Sequence, residues 1–365
     1  MRVLLLFAGF LAVILVFPVY AETAEEAMIR CSSLTSGEAR LICFDAAARN
    51  AVAPRKSEEK GIVSPEDEKE IVPVEPVTFS DSTEHGEPET LSVVTPRTPL
   101  SLAWDLDQKD INDNFTLRSY RTNYLLPVVY NFRLNTMPSS PSQPSTTIYG
   151  GDLKKMEAHF QISLKTRLWS DILDTPADLW LGYTQRSYWQ MYNSKWSSPF
   201  RETDYEPELI FTLPVQAGFP GVRLRMLGAG FVHQSNGRSD PLSRSWNRVY
   251  GMAAFERGNW DMMMRGWYRI RERASSDDNS DISKYMGYGD ITINYRFDDY
   301  SIGLFGRLNV NTGYGAGQLD FTFPLSGYLR GYVRYFDGYG ENLLDYNHHN
   351  RSLGIGVMLS DWKMR

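Results

Sequence analysis

The chain has 365 residues and a formal net charge of −6 at pH 7. Because this balance leaves no basic footprint, nucleic acid is excluded as an expected partner. Aromatic residues make up 13% of the chain, with 21 Tyr, 18 Phe and 9 Trp. That share favours a membrane β-barrel with aromatic girdles at both interfaces, and a soluble β-sandwich or jelly roll is the alternative.

Residues 1–21 have the pattern of a secretory signal peptide. Arg2 supplies the charged start, an apolar run extends from Val3 to Val16, and a small-residue cleavage site ends at Ala21. A retained anchor helix is the alternative, although the run is shorter than the ~20 residues of a usual span. No later stretch of the sequence suits a spanning helix, so an exported chain that lives in a membrane must form a closed β-barrel.

Residues 22–50 contain both cysteines of the chain, Cys31 and Cys43. The pattern around them predicts a small module of two short helices joined at Ser36-Gly37. An oxidising periplasm favours a disulfide between them, and two reduced core cysteines are the alternative. With no further Cys or His nearby, the sequence argues against zinc.

Residues 51–115 are polar, acidic and Pro-rich, with charge runs at 57–60 and 66–70. This composition predicts a disordered linker that lies, with the module before it, in the periplasm. The pattern of polar and apolar residues changes at about residue 116, where short segments of alternating polarity begin and continue to residue 365. We therefore assign 116–365 to the barrel.

The segment 291–297 shows the alternation most clearly. Ile291, Ile293 and Tyr295 share one face of the predicted strand, while Thr292 and Asn294 share the other. The sequence Leu-Phe-Leu-Val forms a similar row at positions 209, 211, 213 and 215. An apolar face alternating with a polar face is typical of a strand in a membrane barrel.

About twelve candidate strands follow one another, an even number, as bacterial barrels prefer. They begin near residues 118, 155, 178, 205, 222, 245, 259, 283, 299, 316, 326 and 350. Tight turns are predicted at 257–259, 297–300 and 325–327, and longer polar stretches at 271–282 and 338–350 suit outer loops. The predicted fold class is therefore all-β, a twelve-stranded antiparallel transmembrane barrel preceded by a small module and a linker.

The segment Phe231–Tyr250 reads FVHQSNGRSDPLSRSWNRVY and contains the candidate catalytic residues. His233 and Ser235 are two residues apart, so they share one face of a strand. A short loop and a second strand bring Asn247 back beside them. One hairpin thus offers a hydroxyl nucleophile, an imidazole base and an amide that orients the base.

The residues that flank this hairpin indicate which side of the wall it occupies. His233 and Ser235 continue the apolar row formed by Leu227, Ala229 and Phe231. If that row faces lipid, the site lies on the outer surface of the barrel and not in the lumen. The alternation breaks upstream at residues 223 and 225, both Arg, which requires a bulge or a change of exposure near residue 226.

The chemistry of the three groups leaves a deficit of charge. His233 can remove the proton of Ser235, which contributes about 10²–10⁴-fold, but Asn247 cannot offset the imidazolium charge as a carboxylate would. The oxygen-rich loop 236–244 can hold a calcium ion that stabilises the oxyanion as a Lewis acid. The alternative is that these are merely polar residues at a strand end.

The motif HQSNGRSDPLSRSWNR closely resembles the active-site hairpin of the outer-membrane phospholipase A family, the calcium-dependent lipases of Gram-negative outer membranes. Further segments resemble that family in the same order, and the resemblance covers about residues 116–361. They are YTQRSYWQ (183–190), SSPFRETDYEPEL (197–209), DISKYMGYGD (281–290), NTGYGAGQL (311–319), GYGENLLDYN (338–347) and GVMLSD (356–361). The resemblance implies a twelve-stranded barrel with Ser235 as nucleophile, His233 as base and Asn247 as the orienting residue.

The resemblance also implies a homodimer with Ca²⁺ at the subunit interface. Matching positions for the calcium ligands are the carbonyls of Arg238 and Ser243, together with Ser197 of the partner subunit. Asp240 matches a carboxylate near a second, non-catalytic calcium position of the family, and Asp278 matches a further carboxylate near calcium. The expected substrates are phospholipids and lysophospholipids that reach the outer leaflet, and the expected location is the outer membrane.

Gln185 matches a buried polar residue at the dimer interface of the family, where a symmetric Gln–Gln contact would satisfy it in lipid. Two features depart from the family: the extension 22–115, and a chain end in which Trp362 stands in for a terminal aromatic residue. The other histidines, His85, His159 and the pair at 348–349, are interpreted as structural or solvated.

Two other hypotheses remain at this point. The barrel could be a non-catalytic pore or structural protein with a relic site, although the complete His-Ser-Asn set argues against it. The N-terminal module could bind a periplasmic partner or peptidoglycan while the barrel remains a lipase.

Overall fold

A computed structural model describes Cys31, residues 98–107 and residues 114–359. The predicted signal peptide, most of the module 22–50, most of the linker, and Trp362 lie outside the described residues. Cys31 is buried and disulfide-bonded. Cys43, the other cysteine of the sequence, lies outside the described residues.

Twelve antiparallel strands, β2 to β13, close into one barrel in which every strand pairs with its neighbours in sequence. The ring closes where β2 pairs with β13, and a two-residue strand β1 (Arg118–Ser119) adds to β3. The bounds are β2 Asn123–Asn131, β3 Met156–Trp169, β4 Asp178–Trp189, β5 Phe200–Phe219, β6 Val222–Ser235, β7 Ser245–Arg257, β8 Trp260–Ile270, β9 Gly289–Phe297, β10 Tyr300–Leu308, β11 Gly315–Ser326, β12 Leu329–Tyr339 and β13 His349–Leu359. The predicted fold class and strand number are confirmed.

The described helices are few and short. They are α1 Pro99–Trp104, α2 Ile282–Met286 and 3-10 turns at Ile148–Gly151, Ile172–Asp174 and Ser194–Trp196. Within the described part of the chain, no helix is both long enough and apolar enough to cross a bilayer.

The alternation of polarity places apolar side chains outside and polar side chains in the lumen. In β6, Leu227 and Phe231 are exposed, whereas Val232 and Gln234 are buried. In β9 the polar residues of the predicted row, including Asn294, line the internal cavity. The outward apolar rows form the surface that faces lipid in a barrel of the outer membrane.

The expected bulge in β6 lies at Arg225. The pairing of β6 with β7 shifts register between Leu224 and Met226. One extra residue at this point reverses the phase, so Arg223 lies opposite the inward residue Glu256 and does not share the outward face of Leu227. Arg225 is buried and donates to Glu256 at 3.1 Å, while Arg223, near the strand end and 3.7 Å from Glu256, has a side chain that is 59% exposed. The break in alternation seen in the sequence is therefore a bulge, as predicted.

Three predicted strand starts differ from the structure by five residues or more: β2 begins at Asn123 and not near 118, and β5 begins at Phe200 and not near 205. The strand expected near residue 283 begins at Gly289, because the preceding segment forms helix α2. Ile282 and Met286 lie four residues apart and are both buried, which is a helical spacing and not a strand spacing. The predicted turns at 257–259 and 325–327 are present, and Gly258 and Gly327 adopt the positive φ that favours glycine.

Helix α1 lies against the lumen side of the wall, at the end of the barrel away from residues 235–245. Thr98 caps it by accepting a hydrogen bond from the Ser101 amide at 3.1 Å. Trp104 packs edge-on against Trp180, with ring centroids 5.7 Å apart, and Lys165 Nζ lies 3.0 Å from the centre of the Trp104 ring. These contacts depend on distant residues, so the composition of the segment could not predict the helix.

Candidate active site

The pairing of β6 with β7 determines which candidate residues meet. His233 lies directly opposite Asn247, and Ser235 lies opposite Ser245 at the end of the ladder. All four are partly buried on the outward face, while Trp246 on the inward face is fully buried. The hairpin therefore presents His233, Ser235 and Asn247 on the lipid side of the wall.

His233 and Asn247 are joined by a hydrogen bond. The distance from His233 Nδ1 to Asn247 Oδ1 is 2.9 Å. With the amide oxygen as acceptor, Nδ1 carries the proton, so Nε2 keeps the lone pair that a general base needs.

Ser235 shares the face of His233, but among the described residues no hydrogen bond joins the Ser235 hydroxyl to the imidazole. Catalytic hydrogen bonds are commonly long or absent without substrate and tighten only in the reacting complex. Across the other edge of β6, Ser235 lies opposite Tyr205 of β5. Ser235 thus has His233 two residues away on its own strand and the exposed Tyr205 opposite it on the next strand.

Glu272, in the loop after β8, is a polar residue of this site that sequence reasoning missed. Asn247 Nδ2 donates to Glu272 Oε1 at 3.1 Å. Burial, together with the charge of Asp277, raises the pKa of the Glu272 carboxyl. The sequence did contain a signal for Glu272. Asn247 lies opposite Ile270, and Glu272, two residues after Ile270, is on the same face of the strand as Ile270.

Asn236 holds the hairpin loop in shape. Its Oδ1 accepts from the amides of Arg238 (3.3 Å) and Arg244 (3.0 Å), and its Nδ2 donates to the Leu242 carbonyl at 2.8 Å. The loop carbonyls are therefore ordered by the protein itself.

Three of the five predicted calcium-binding residues lie together. Ser243 Oγ donates to Asp278 Oδ2 at 2.5 Å. Gln143 Nε2 bridges the carboxylates of Asp240 and Asp278, at 2.8 and 3.1 Å. Oxygen donors of this kind suit calcium. Within the described ranges, no group of three or more His, Cys, Asp or Glu side chains could hold a metal ion.

The other two predicted ligands are placed differently. The Arg238 side chain turns to Glu202, with Nε 3.1 Å from Oε2, so only its backbone is available to the loop. Ser197 is exposed in the loop between β4 and β5, and no hydrogen bond ties it to Ser243 or Asp278 within the described part of the chain. The Ser243 carbonyl accepts from Arg244 Nη1 at 2.6 Å, which leaves it one lone pair for a cation.

Gln185 lies on the outward face at the same level as the candidate nucleophile. It is opposite Tyr205, which is itself opposite Ser235. Its amide accepts from Tyr183 Oη at 3.0 Å and donates to Ser187 Oγ at 3.3 Å. Both ends of the amide thus have partners within one chain.

The described histidines outside the hairpin have structural partners. His159 is buried in the lumen, with Nε2 3.2 Å from Glu157 Oε2. His348 Nε2 lies 2.8 Å from a backbone carbonyl, and His349 Nε2 lies 3.2 Å from an aspartate oxygen. His85 lies outside the described residues.

Comparison with known proteins gives concordant results for family and fold. A family model described as phospholipase A1 matches residues 100–359. A putative phospholipase A1 of Neisseria meningitidis is 43% identical over 355 residues, which cover 92% of this chain and 91% of that protein. The outer membrane phospholipase A of Escherichia coli has a solved structure that matches with a TM-score of 0.64 and 40% identity, over 71% of this chain and 97% of that one.

Two further solved structures bear on the site. The Escherichia coli protein has also been solved as an active-site mutant in which alanine replaces an asparagine, with 41% identity, a TM-score of 0.64 and the same coverage of 71% and 97%. The outer membrane phospholipase of Salmonella typhi, solved as a dimer with bound calcium, is 42% identical, with a TM-score of 0.64 over 71% of this chain and 97% of that one.

Proposed function

This chain belongs to the phospholipase A1 family of the Gram-negative outer membrane, and from that premise we propose that Ser235, His233 and Asn247 form its catalytic triad. The substrates are phospholipids and lysophospholipids, whose acyl ester bonds are hydrolysed at the outer surface of the barrel. The observation that carries the proposal is the 2.9 Å contact from His233 Nδ1 to Asn247 Oδ1 on the outward face of the hairpin. The asparagine-to-alanine active-site mutant of the Escherichia coli protein supports the placement of an asparagine in the site.

The proposed reaction proceeds through an acyl-enzyme. Ser235 Oγ attacks the ester carbonyl while His233 Nε2 takes its proton, and the imidazolium then protonates the leaving alkoxide. In the second half, His233 removes a proton from water, the resulting hydroxide attacks the acyl carbonyl, and the imidazolium returns the proton to Ser235 Oγ as its bond to the acyl group breaks and the fatty acid leaves. Asn247 keeps the imidazole in the tautomer and orientation that both halves require.

Calcium is the proposed cofactor. The carbonyls of Arg238 and Ser243 would hold it, together with Ser197 of the partner subunit, and Asp240 and Asp278 would serve a further calcium position. When bound, the ion supplies positive charge to the oxyanion that forms at the ester carbonyl. Asn236 orders the loop carbonyls in advance, and one chain provides only part of the shell, which is consistent with a site completed by a second subunit.

The active form is proposed to be a homodimer. The shared level of Gln185, Tyr205 and Ser235 would put a contact through Gln185 beside the nucleophile. An acyl-chain groove would then form between the two barrels. Dimerisation would control activity, because an enzyme that is always active would damage the membrane it occupies.

The decisive experiment is an assay of fatty-acid release by the purified full-length chain in detergent micelles. The wild type should release fatty acid in the presence of calcium and not with a chelator, and Ser235→Ala should release none in either condition. Full activity of Ser235→Ala, or release that is independent of calcium, would overturn the proposal. Cross-linking of the same samples should detect a dimer only where calcium and substrate analogue are present.

A further inference from the structure

The hydrogen-bonded chain that starts at His233 does not end at Asn247. The amide oxygen of Asn247 contacts His233 Nδ1, and its amide nitrogen donates to Glu272 Oε1 at 3.1 Å. A carboxylate is thus one side chain away from the imidazole. This adds a fourth group to the three residues proposed above.

The strand geometry explains why Glu272 reaches this position. Asn247 in β7 lies directly opposite Ile270, the last residue of β8. Glu272 follows two residues later, so it extends the outward face of β8 past the end of the ladder. Its side chain is partly buried, which reduces the competition from water for the contact with Asn247.

An ionised carboxylate fixes the orientation of the amide. It can only accept hydrogen bonds, so the NH₂ group of Asn247 must face Glu272 and the oxygen must face His233. Without that acceptor the amide can turn by about 180°, and its NH₂ group then meets Nδ1. The imidazole would then adopt the opposite tautomer, in which Nε2 is protonated and cannot take the proton of Ser235.

The carboxylate also supplies charge where the triad lacks it. An asparagine cannot balance the imidazolium that forms when Ser235 attacks. A negative charge beyond the amide polarises the chain of hydrogen bonds in the favourable direction, as neighbouring bonds in such networks do.

We propose that Glu272 is a positioning residue of this enzyme, which holds the Asn247 amide so that His233 keeps a basic Nε2. The inference rests on the proposed triad. It assigns to Glu272 no contact with the substrate or with calcium.

The test compares Glu272→Ala and Glu272→Gln with the wild type in the micelle assay at saturating calcium. Glu272→Ala should lower kcat about tenfold with KM unchanged, because residues in one hydrogen-bond network are coupled by interaction energies of about this size. Glu272→Gln keeps an acceptor oxygen and should remain within about threefold of the wild type. Arg271→Ala, at the exposed neighbouring position, is the matched control and should behave as the wild type.

The same substitution in an Asn247→Ala background separates positioning from a general effect on the loop. If Glu272 acts through Asn247, Glu272→Ala should cause no further loss there. A normal kcat for Glu272→Ala, an equal loss in the Asn247→Ala background, or a Gln variant as weak as the Ala variant would each overturn the inference. Should Glu272→Ala not fold, Glu272→Lys presents only donors to Asn247, and a wild-type kcat in that variant would also overturn it.

The failure of this inference can be told apart from the failure of the triad. If Ser235→Ala is inactive while Glu272→Ala has the wild-type kcat, the triad stands and only the role of Glu272 falls. If Ser235→Ala is fully active, the triad itself is wrong. Folding of every variant is checked by the heat-dependent gel shift of the intact barrel.

Discussion

On the lumen side of β5, Glu206 and Glu208 both contact Arg121, and Glu208 also accepts from Tyr250 at 2.9 Å. On the outer side of the adjacent strands, the candidate site has a single short chain of hydrogen bonds from His233 outward. The lumen is thus far richer in charge than the outer face. Polar residues in the lumen provide hydrogen-bond partners for one another. Polar residues that face lipid raise the free energy of the folded barrel, so they are the better guide to function.

The largest expected effect comes from comparing alanine substitutions at two histidines of the barrel, one on the outer face and one in the lumen. His233→Ala should lower kcat by at least about 10³-fold, because the general base of both halves and the acid that protonates the leaving alkoxide are lost. His159→Ala removes a buried lumen histidine beside Glu157 and should leave kcat within about threefold, with a lower unfolding free energy. Fatty-acid release and denaturant unfolding measure the two effects, and a large loss of kcat in His159→Ala would break the contrast between the faces.

The next effect concerns the orienting amide. Asn247→Ala should lower kcat by about 10²-fold with little change in KM, since it acts on the base and not on substrate binding. Asn350→Ala removes a buried lumen amide and is the matched control. Steady-state kinetics on one phospholipid decide the matter, and equal losses in the two variants would contradict a special role for the outer face.

A smaller effect on activity, with a larger effect on stability, is expected in the lumen. Arg121→Ala removes the cation nearest to Glu206 and Glu208, leaves Glu206 only Arg248 at 3.9 Å, and should lower the unfolding free energy by about 3 kcal/mol. Arg223→Ala removes an exposed arginine that is 3.7 Å from Glu256 and should cost less than about 1 kcal/mol. Both variants should keep kcat within about threefold, and a selective loss of kcat in Arg121→Ala would assign a catalytic role to the lumen.

The smallest effect is a dependence of stability on pH. The pKa of Glu272 is raised in the folded state, so folding favours its protonated form. The contribution of this group to stability is therefore present below its unfolded pKa of about 4.3, and it is lost as pH rises through the folded pKa. Glu272→Gln does not titrate, and its stability relative to the wild type should increase over that interval. Denaturant midpoints between about pH 4 and pH 8 measure this, and a difference that does not change with pH would refute the sign.

Much of the barrel could be predicted because strand alternation is local. The bulge at Arg225 was visible as a break in phase, and the turn at Gly258 had its own signal. Helix α2 was missed because Ile282 and Met286 show a helical spacing over too short a segment to compete with the expected strand. Helix α1 was missed because its place depends on Trp180 and Lys165, residues far away in the sequence.

The site was predictable to a different degree. The shared face of His233 and Ser235 follows from strand periodicity, and their placement opposite Asn247 follows from hairpin register. Glu272 was missed because it lies in the loop past the end of β8, and its periodicity points to Asn247 only once the register of β7 against β8 is known. The calcium ligands stay predictions, because backbone carbonyls leave almost no mark on a sequence.

The placement of α1 has a consequence for the membrane as a permeability barrier. Trp104 packs against Trp180, and arginines and carboxylates pair in the interior, so helix α1 and these ion pairs take up part of the lumen beside the cavity that Asn294 lines. An enzyme that works on its outer wall has no need of an open bore. The helix and the ion pairs in the lumen therefore narrow the path that this barrel offers to small solutes.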